Sequence, residues 1–146
     1  MIELRRILVP TDFSKHSGHA LGYAAALAEK FGAELFLLHV VHSLATFYPD
    51  PLAVAAPIQE RGEPSTAAAQ AGFDQLVRDN RLDRLTVHRE VHEGAPAEEI
   101  IRFAKEAKVD LIAMGTHGHT GLAHILLGSV AEKVVRHAAC PVLTVR

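Results

Sequence analysis

Five short apolar runs, separated by segments with helical spacing or turn signals, constrain what this chain can fold into. Residues 4–10, 34–41, 85–91, 110–114 and 141–146 read as strands. The second contains Leu35-Phe-Leu-Leu-His-Val-Val41 and is nearly continuous rather than alternating. Continuity implies burial on both faces, as in a parallel sheet covered by helices. Between the first two runs, Leu21, Ala24, Ala25, Ala28 and Phe31 recur at helical spacing, and Gly32 supplies a stop. Residues 66–80 read as a weakly amphipathic helix. Pro96 suits a first helical turn, and Ile100, Ile101, Ala104 and Ala107 form one face behind it. Val130, Val134 and Val135 do the same for 129–138. The order β-α-β-(loop)-α-β-α-β-α-β predicts an α/β fold with right-handed crossovers and helices on both faces.

Residues 43–64 carry four prolines and read as a long loop, unusual in a compact domain. No repeat or second core interrupts the pattern, so 1–146 is expected to form a single domain. Hydrophobic residues make up 49% and charged residues 22%, which excludes a disordered chain. The formal charge is −2 with no basic run, against a nucleic-acid or anionic-membrane binder. One cysteine excludes an intrachain disulfide and points to a reducing compartment. No apolar run approaches a spanning helix, and the N-terminus lacks a signal peptide's apolar stretch. The expected location is the cytoplasm.

Open doubly wound sheets bind ligands beyond the carboxyl ends of strands, where the strand order reverses. If the order is 3-2-1-4-5, that switch lies between the first and fourth strands. The loops there are Pro10-Thr11-Asp12-Phe13-Ser14 and 115–129, which holds Gly115, Gly118, Gly121 and Gly128. The second loop feeds a helix whose first N–H groups lack intrahelical partners, a plausible phosphate cradle. The alternative is a tight turn with an ordinary helix cap. The loop is neither a P-loop nor the dinucleotide fingerprint, and it holds no Lys, Arg, Asp or Glu. Phosphates would depend on amides, the helix terminus, His117 or His119, and a divalent cation. Asp12 either caps the first helix or meets a ribose hydroxyl, a base amino group or Mg²⁺.

Of the ten histidines, His88 and His92 would lie roughly 13 Å apart along a strand, too far for one metal. His39, inside an apolar strand, reads as a hydrogen-bonded core residue. Cys140 before Pro141 reads as a small packed thiol. No Gly-x-Ser-x-Gly elbow is present.

In these residues the chain resembles the universal stress protein family. The resemblance covers nearly its whole length: Ile7-Leu-Val-Pro-Thr-Asp-Phe-Ser14, Leu38-His-Val-Val41, Asp110-Leu-Ile-Ala-Met-Gly-Thr-His-Gly118, Gly128-Ser-Val-Ala-Glu-Lys-Val134 and Cys140-Pro-Val-Leu-Thr-Val145. The family's ATP-binding subgroup is marked by Gly-x2-Gly-x9-Gly-(Ser/Thr), and Gly115, Gly118, Gly128 and Ser129 fit every position. The resemblance implies a Rossmann-like open five-stranded parallel sheet of order 3-2-1-4-5 that binds ATP, with Mg²⁺ or Mn²⁺ on the phosphates. Pro10, Thr11, Asp12 and Val40 would border the base and ribose, Val40 through its backbone. Met114 would pack near the nucleoside. Gly115, His117, Gly118, Gly128, Ser129 and Val130 would receive ribose and phosphates. Asp12 would meet a metal only through the nucleotide. The resemblance also implies a homodimer through Val142, Leu143, Thr144 and Val145, and an edge strand there invites pairing.

Three functions follow. The first is an ATP-dependent regulatory homodimer of the stress response, read by an unidentified protein partner. The second is a slow ATPase or phosphotransferase, with His117 or His119 as the base. The third is a ligand-free dimerisation module.

Overall fold

The computed structural model describes residues 1–42, 66–117 and 127–146. In chain order these form β1 (Arg6–Pro10), α1 (Lys15–Phe31), β2 (Glu34–His42), α2 (Thr66–Asp79) and a 3-10 turn at Leu82–Arg84. Then come β3 (Val87–Gly94), α3 (Pro96–Glu106), β4 (Leu111–Gly115), α4 (Ser129–His137) and β5 (Val142–Val145). The five strands make one parallel sheet of order β3-β2-β1-β4-β5. The Rossmann-like architecture expected from the sequence is therefore present.

Neighbouring residues of β1 serve opposite layers. Ile7 and Val9 pack with Leu21, Ala24 and Ala28 of α1 and Phe73 of α2. Leu8 packs with Ile100 and Ala104 of α3 and Ala131 and Val134 of α4. All three β1 side chains are fully buried. Each such burial contributes about 1.5–3 kcal/mol, which is why the run is apolar at every position instead of every second one.

Gly32 and Pro96 stand at helix ends as expected, while the cap of α1 is Ser14 rather than Asp12. Ser14 caps α1, its side chain accepting from the Ser17 N–H, and Gly32 closes it in the left-handed region at φ 66°. Pro96 stands in the first turn of α3. The Asp110 carboxylate accepts from the Arg5 and Arg6 amides at 2.8 and 2.9 Å, tying the start of β1 to that of β4.

Two strands have a boundary two or more residues from the sequence reading. β1 starts at Arg6, and β3 runs Val87–Gly94 rather than 85–91. Leu85 is withheld from the strand because its N–H donates back to the Leu82 carbonyl and closes the 3-10 turn. The far end is extended by β2, whose ladder with β3 continues to His42 opposite Gly94. The alternation itself holds: Val87 and Val91 join the α1/α2 core, and Arg89 pairs with Asp74 of α2 on that side. Residues 43–64, read as a proline-rich loop, lie outside the described residues.

Candidate functional site

The sheet reverses its winding between β1 and β4, and the segments leaving those strands diverge around a cleft of about 700 Å³. Pro10, Thr11 and Asp12 border it from the β1 side, and Val40 from β2. Met114, Gly115 and His117 enter from the end of β4. Gly128, Ser129 and Val130 close it at the start of α4. The structure thus brings together ten of the residues singled out from sequence. The eleventh, Gly118, lies outside the described residues with His119 and Gly121.

The first loop is ordered by its own side chains. Asp12 is not the helix cap; that is Ser14. The Asp12 Oδ1 instead accepts from the Ser14 N–H at 2.9 Å, a short turn that holds the carboxylate at the cleft. Phe13 sits in the left-handed region at φ 63°, rare for a bulky residue. Its ring is held 4.6 Å from that of His39 and 5.4 Å from that of Phe73. Gly72 of α2 makes room for it, since a Cβ there would come within 2.7 Å of the Phe13 ring.

The β1–β2 ladder ends abruptly at this loop. Its last rung is the Thr11 N–H donating to the Leu38 carbonyl at 2.8 Å. In a parallel ladder the next rung would join Val40 to the Thr11 carbonyl and the Phe13 N–H. Both are engaged elsewhere. The Thr11 carbonyl accepts from the His39 Nδ1–H at 2.8 Å. The Phe13 N–H donates to Thr11 Oγ1 at 3.0 Å. Alternate residues of a strand direct their backbone groups to the same side, so the Val40 N–H and C=O face the cleft past the end of β1.

At the opposite wall, the Gly128 N–H donates to the Thr116 carbonyl at 2.6 Å, and the first intrahelical bond of α4 runs from Glu132 N–H to Gly128 O at 2.9 Å. Among the described residues no side chain caps this helix. The Ser129, Val130 and Ala131 amides are therefore the donors available at the positive end of the helix dipole. Gly128 has an ordinary φ of −65°. What requires glycine there is space, since a Cβ would approach the Thr116 carbonyl oxygen to 2.9 Å. Gly115 has a similar reason: a Cβ would lie 3.0 Å from the His16 backbone. Close chain packing thus accounts for two motif glycines, and the Gly128 amide is not itself a free donor.

His117 Nδ1 lies 2.8 Å from Thr116 Oγ1, with the His16 ring 5.7 Å away. Among the described residues lining the cleft there is no Lys or Arg, and Asp12 is the carboxylate. Among the described residues no group of three or more His, Cys, Asp or Glu is disposed to hold a metal. The two histidines of β3 lie away from the cleft. His88 stacks on Phe36 and meets Glu34 at 2.8 Å, while His92 lies 3.3 Å from Glu99 and edge-on to Phe103. Cys140 is partly buried before β5, and burial, helped by the Asp110 charge, pushes its thiol above the usual range.

Sequence reasoning missed Phe13 and Thr116 as parts of this site, and placed His39 in the core without a role. His39 is indeed buried and hydrogen-bonded, but its bond terminates a ladder at the cleft. Its position near the end of an apolar strand was the available signal. Thr116 acts through its carbonyl, which leaves no mark in the residue type.

A family model described as the universal stress protein family matches residues 3–146. The chain is 39% identical over 146 residues to universal stress protein MJ0531 of Methanocaldococcus jannaschii, covering 97% of this chain and 82% of that protein. It superimposes on the solved structure of MJ0577, from the same organism, with a TM-score of 0.81 at 31% identity, covering 99% of this chain and 96% of the other. A universal stress protein solved in complex with cAMP has the same fold, with a TM-score of 0.69 at 23% identity over 99% of this chain and 98% of that one.

Proposed function

The chain belongs to the universal stress protein family, and from that premise we propose that its cleft binds ATP and that occupancy regulates a homodimer. One observation carries the reading. Two sets of backbone groups without partners among the described residues, at Val40 and at the start of α4, face a single cleft. Adenine carries an amino donor beside a ring-nitrogen acceptor, the complement of the C=O and N–H of one residue. Polyphosphate is the complement of an uncapped helix N-terminus. Asp12 accepts a ribose hydroxyl, and Met114, 5% exposed, offers an apolar wall to the nucleoside. The Ser129, Val130 and Ala131 amides take the phosphates, and His117 borders them.

The chain's described residues supply no metal cage of their own. Mg²⁺ or Mn²⁺ enters with the nucleotide, held by its phosphates, with Asp12 as the carboxylate among the described cleft residues. The described walls offer amides and a helix dipole, not the cationic clamps common in phosphoryl transfer, so the reading is binding and not turnover.

The homodimer forms through β5. That strand is at the sheet edge, and Tyr23, 61% exposed, flanks a groove with Leu143, Thr144 and Val145. A protein partner in the cytoplasm reads the occupied state, which requires ATP to favour one conformation over another. The test is to denature freshly purified protein, identify released nucleotide by mass spectrometry, and titrate the emptied protein with ATP and GTP in a calorimeter. Stoichiometric adenine nucleotide, or ATP binding stronger than GTP binding, supports the reading. No nucleotide and no binding heat at several temperatures sinks it.

A further inference from the structure

We infer that His39 is a positioning residue for base recognition: by holding the Thr11 carbonyl, it keeps the Val40 N–H open to the ligand. The inference rests on the ATP reading for its ligand, but its structural half stands on hydrogen bonds alone. The Thr11 carbonyl can only accept, so His39 Nδ1 carries the proton in their 2.8 Å contact. That carbonyl is the atom to which Val40 N–H would donate if the ladder took one more rung. The bond to His39 holds that carbonyl toward the imidazole, and Val40 N–H makes no bond to it.

Two further contacts fix the arrangement. Thr11 Oγ1 takes the Phe13 N–H at 3.0 Å, which removes the donor that would otherwise reach the Val40 carbonyl. The Phe13 ring packs on the imidazole at 4.6 Å and holds it in place. His39 is 9% exposed, so water does not compete readily for its bond. A strand end next to a cleft has thus been stopped one rung short by side chains. The result is an N–H and a C=O side by side, which suits adenine. Hypoxanthine, with an oxo group and a ring N–H, presents like to like at both positions.

Removing the imidazole donor frees the Thr11 carbonyl. Val40 N–H then closes onto it, and the base loses one of its two partners. His39→Leu should weaken ATP binding about tenfold and shrink the preference for ATP over inosine triphosphate. His39→Asn, whose side-chain amide places a donor near the Nδ1 position, should restore both. A purely structural role for His39 would lower stability without changing that preference.

The closing experiment combines calorimetry of ATP and inosine triphosphate on these three proteins with amide hydrogen exchange in the absence of nucleotide. In the wild type, the Val40 amide should exchange faster than that of Leu38, and in His39→Leu it should become protected. The inference is overturned if the wild-type Val40 amide is as protected as Leu38. It is equally overturned if His39→Leu keeps both the affinity and the discrimination. Should His39→Leu fail to fold, the wild-type exchange comparison still decides. If the wild type binds no ATP, the functional reading fails by itself, and the exchange arm continues to test the interrupted ladder.

Discussion

Gly128 donates its N–H to the Thr116 carbonyl at 2.6 Å, and a side chain on Gly128 would bring its Cβ to 2.9 Å from that same oxygen. One contact therefore sets both how the chain enters α4 and why glycine stands there. Gly128→Ala must shift the helix start away from Thr116. A loss of about 1–3 kcal/mol is expected in urea unfolding, together with about tenfold weaker ATP binding by calorimetry. Wild-type affinity in this variant would mean that the start of α4 does not hold the ligand.

Ser129→Pro separates amide donation from helix integrity. Proline is tolerated at the first helical position, and Gly128, at φ −65° and ψ 159°, already has the extended backbone that a following proline requires. Stability should stay within about 0.5 kcal/mol of the wild type. Loss of one amide bond to a charged phosphate should weaken ATP binding by about 10–100-fold. Ser129→Ala, which keeps the amide, should lose much less.

Phe13 inverts the usual ranking of alanine over glycine. Phe13→Ala forfeits the ring contacts with His39 and Phe73 and keeps a side chain at φ 63°. It should cost about 3–5 kcal/mol. Phe13→Gly loses the same contacts but accepts the backbone conformation, and should be the more stable by about 1 kcal/mol. Chemical denaturation of the pair reads the difference, and a more stable alanine variant would remove the argument from strain.

Metal dependence should follow the nucleotide. Mn²⁺ alone, followed by electron paramagnetic resonance, should remain free in the presence of the protein, and should become immobilised when ATP is added. Chelation should weaken ATP binding without changing the thermal stability of the empty protein. Tight Mn²⁺ binding without nucleotide would reveal a site that the chain builds itself.

Cys140 should alkylate slowly at pH 8 in the folded protein and readily in urea, because burial and the Asp110 charge hold the thiol above its usual range. The sign for stability follows. A raised folded value means the unfolded chain releases its proton first. The contribution is full below the ordinary thiol range near ~8.5 and is lost as pH rises through the folded value. Stability of the wild type relative to Cys140→Ala should therefore decline on the alkaline side. An unchanged difference between pH 7 and 10 would count against it.

Most of the fold was legible because its signals are local. Gly32 and Pro96 mark helix ends by backbone chemistry that needs no tertiary context, whereas the cap of α1 proved to be Ser14 and not Asp12. The continuous run Ile7-Leu8-Val9 announces burial on both faces. The start of β3 was misread because Leu85 continues an alternating pattern, yet its N–H is captured by a turn. At the site, the residue types of the two loops picked out the cleft. Their individual roles were hidden where the backbone does the work. Thr116 acts through its carbonyl, which no residue type announces, and the backbone role proposed for Val40 came from the family resemblance alone. The motif glycines Gly115 and Gly128 make room for the chain's own backbone, which their place in the motif does not announce.

The most direct measurement is an amide nuclear magnetic resonance titration of the emptied protein with Mg–ATP. A nucleotide seated across the cleft should shift Val40 at one end and Ser129, Val130 and Ala131 at the other, at the same ATP concentration. Shifts confined elsewhere, for instance to Tyr23 and β5, or no shifts at millimolar ATP, would contradict the assignment of this cleft as the nucleotide site.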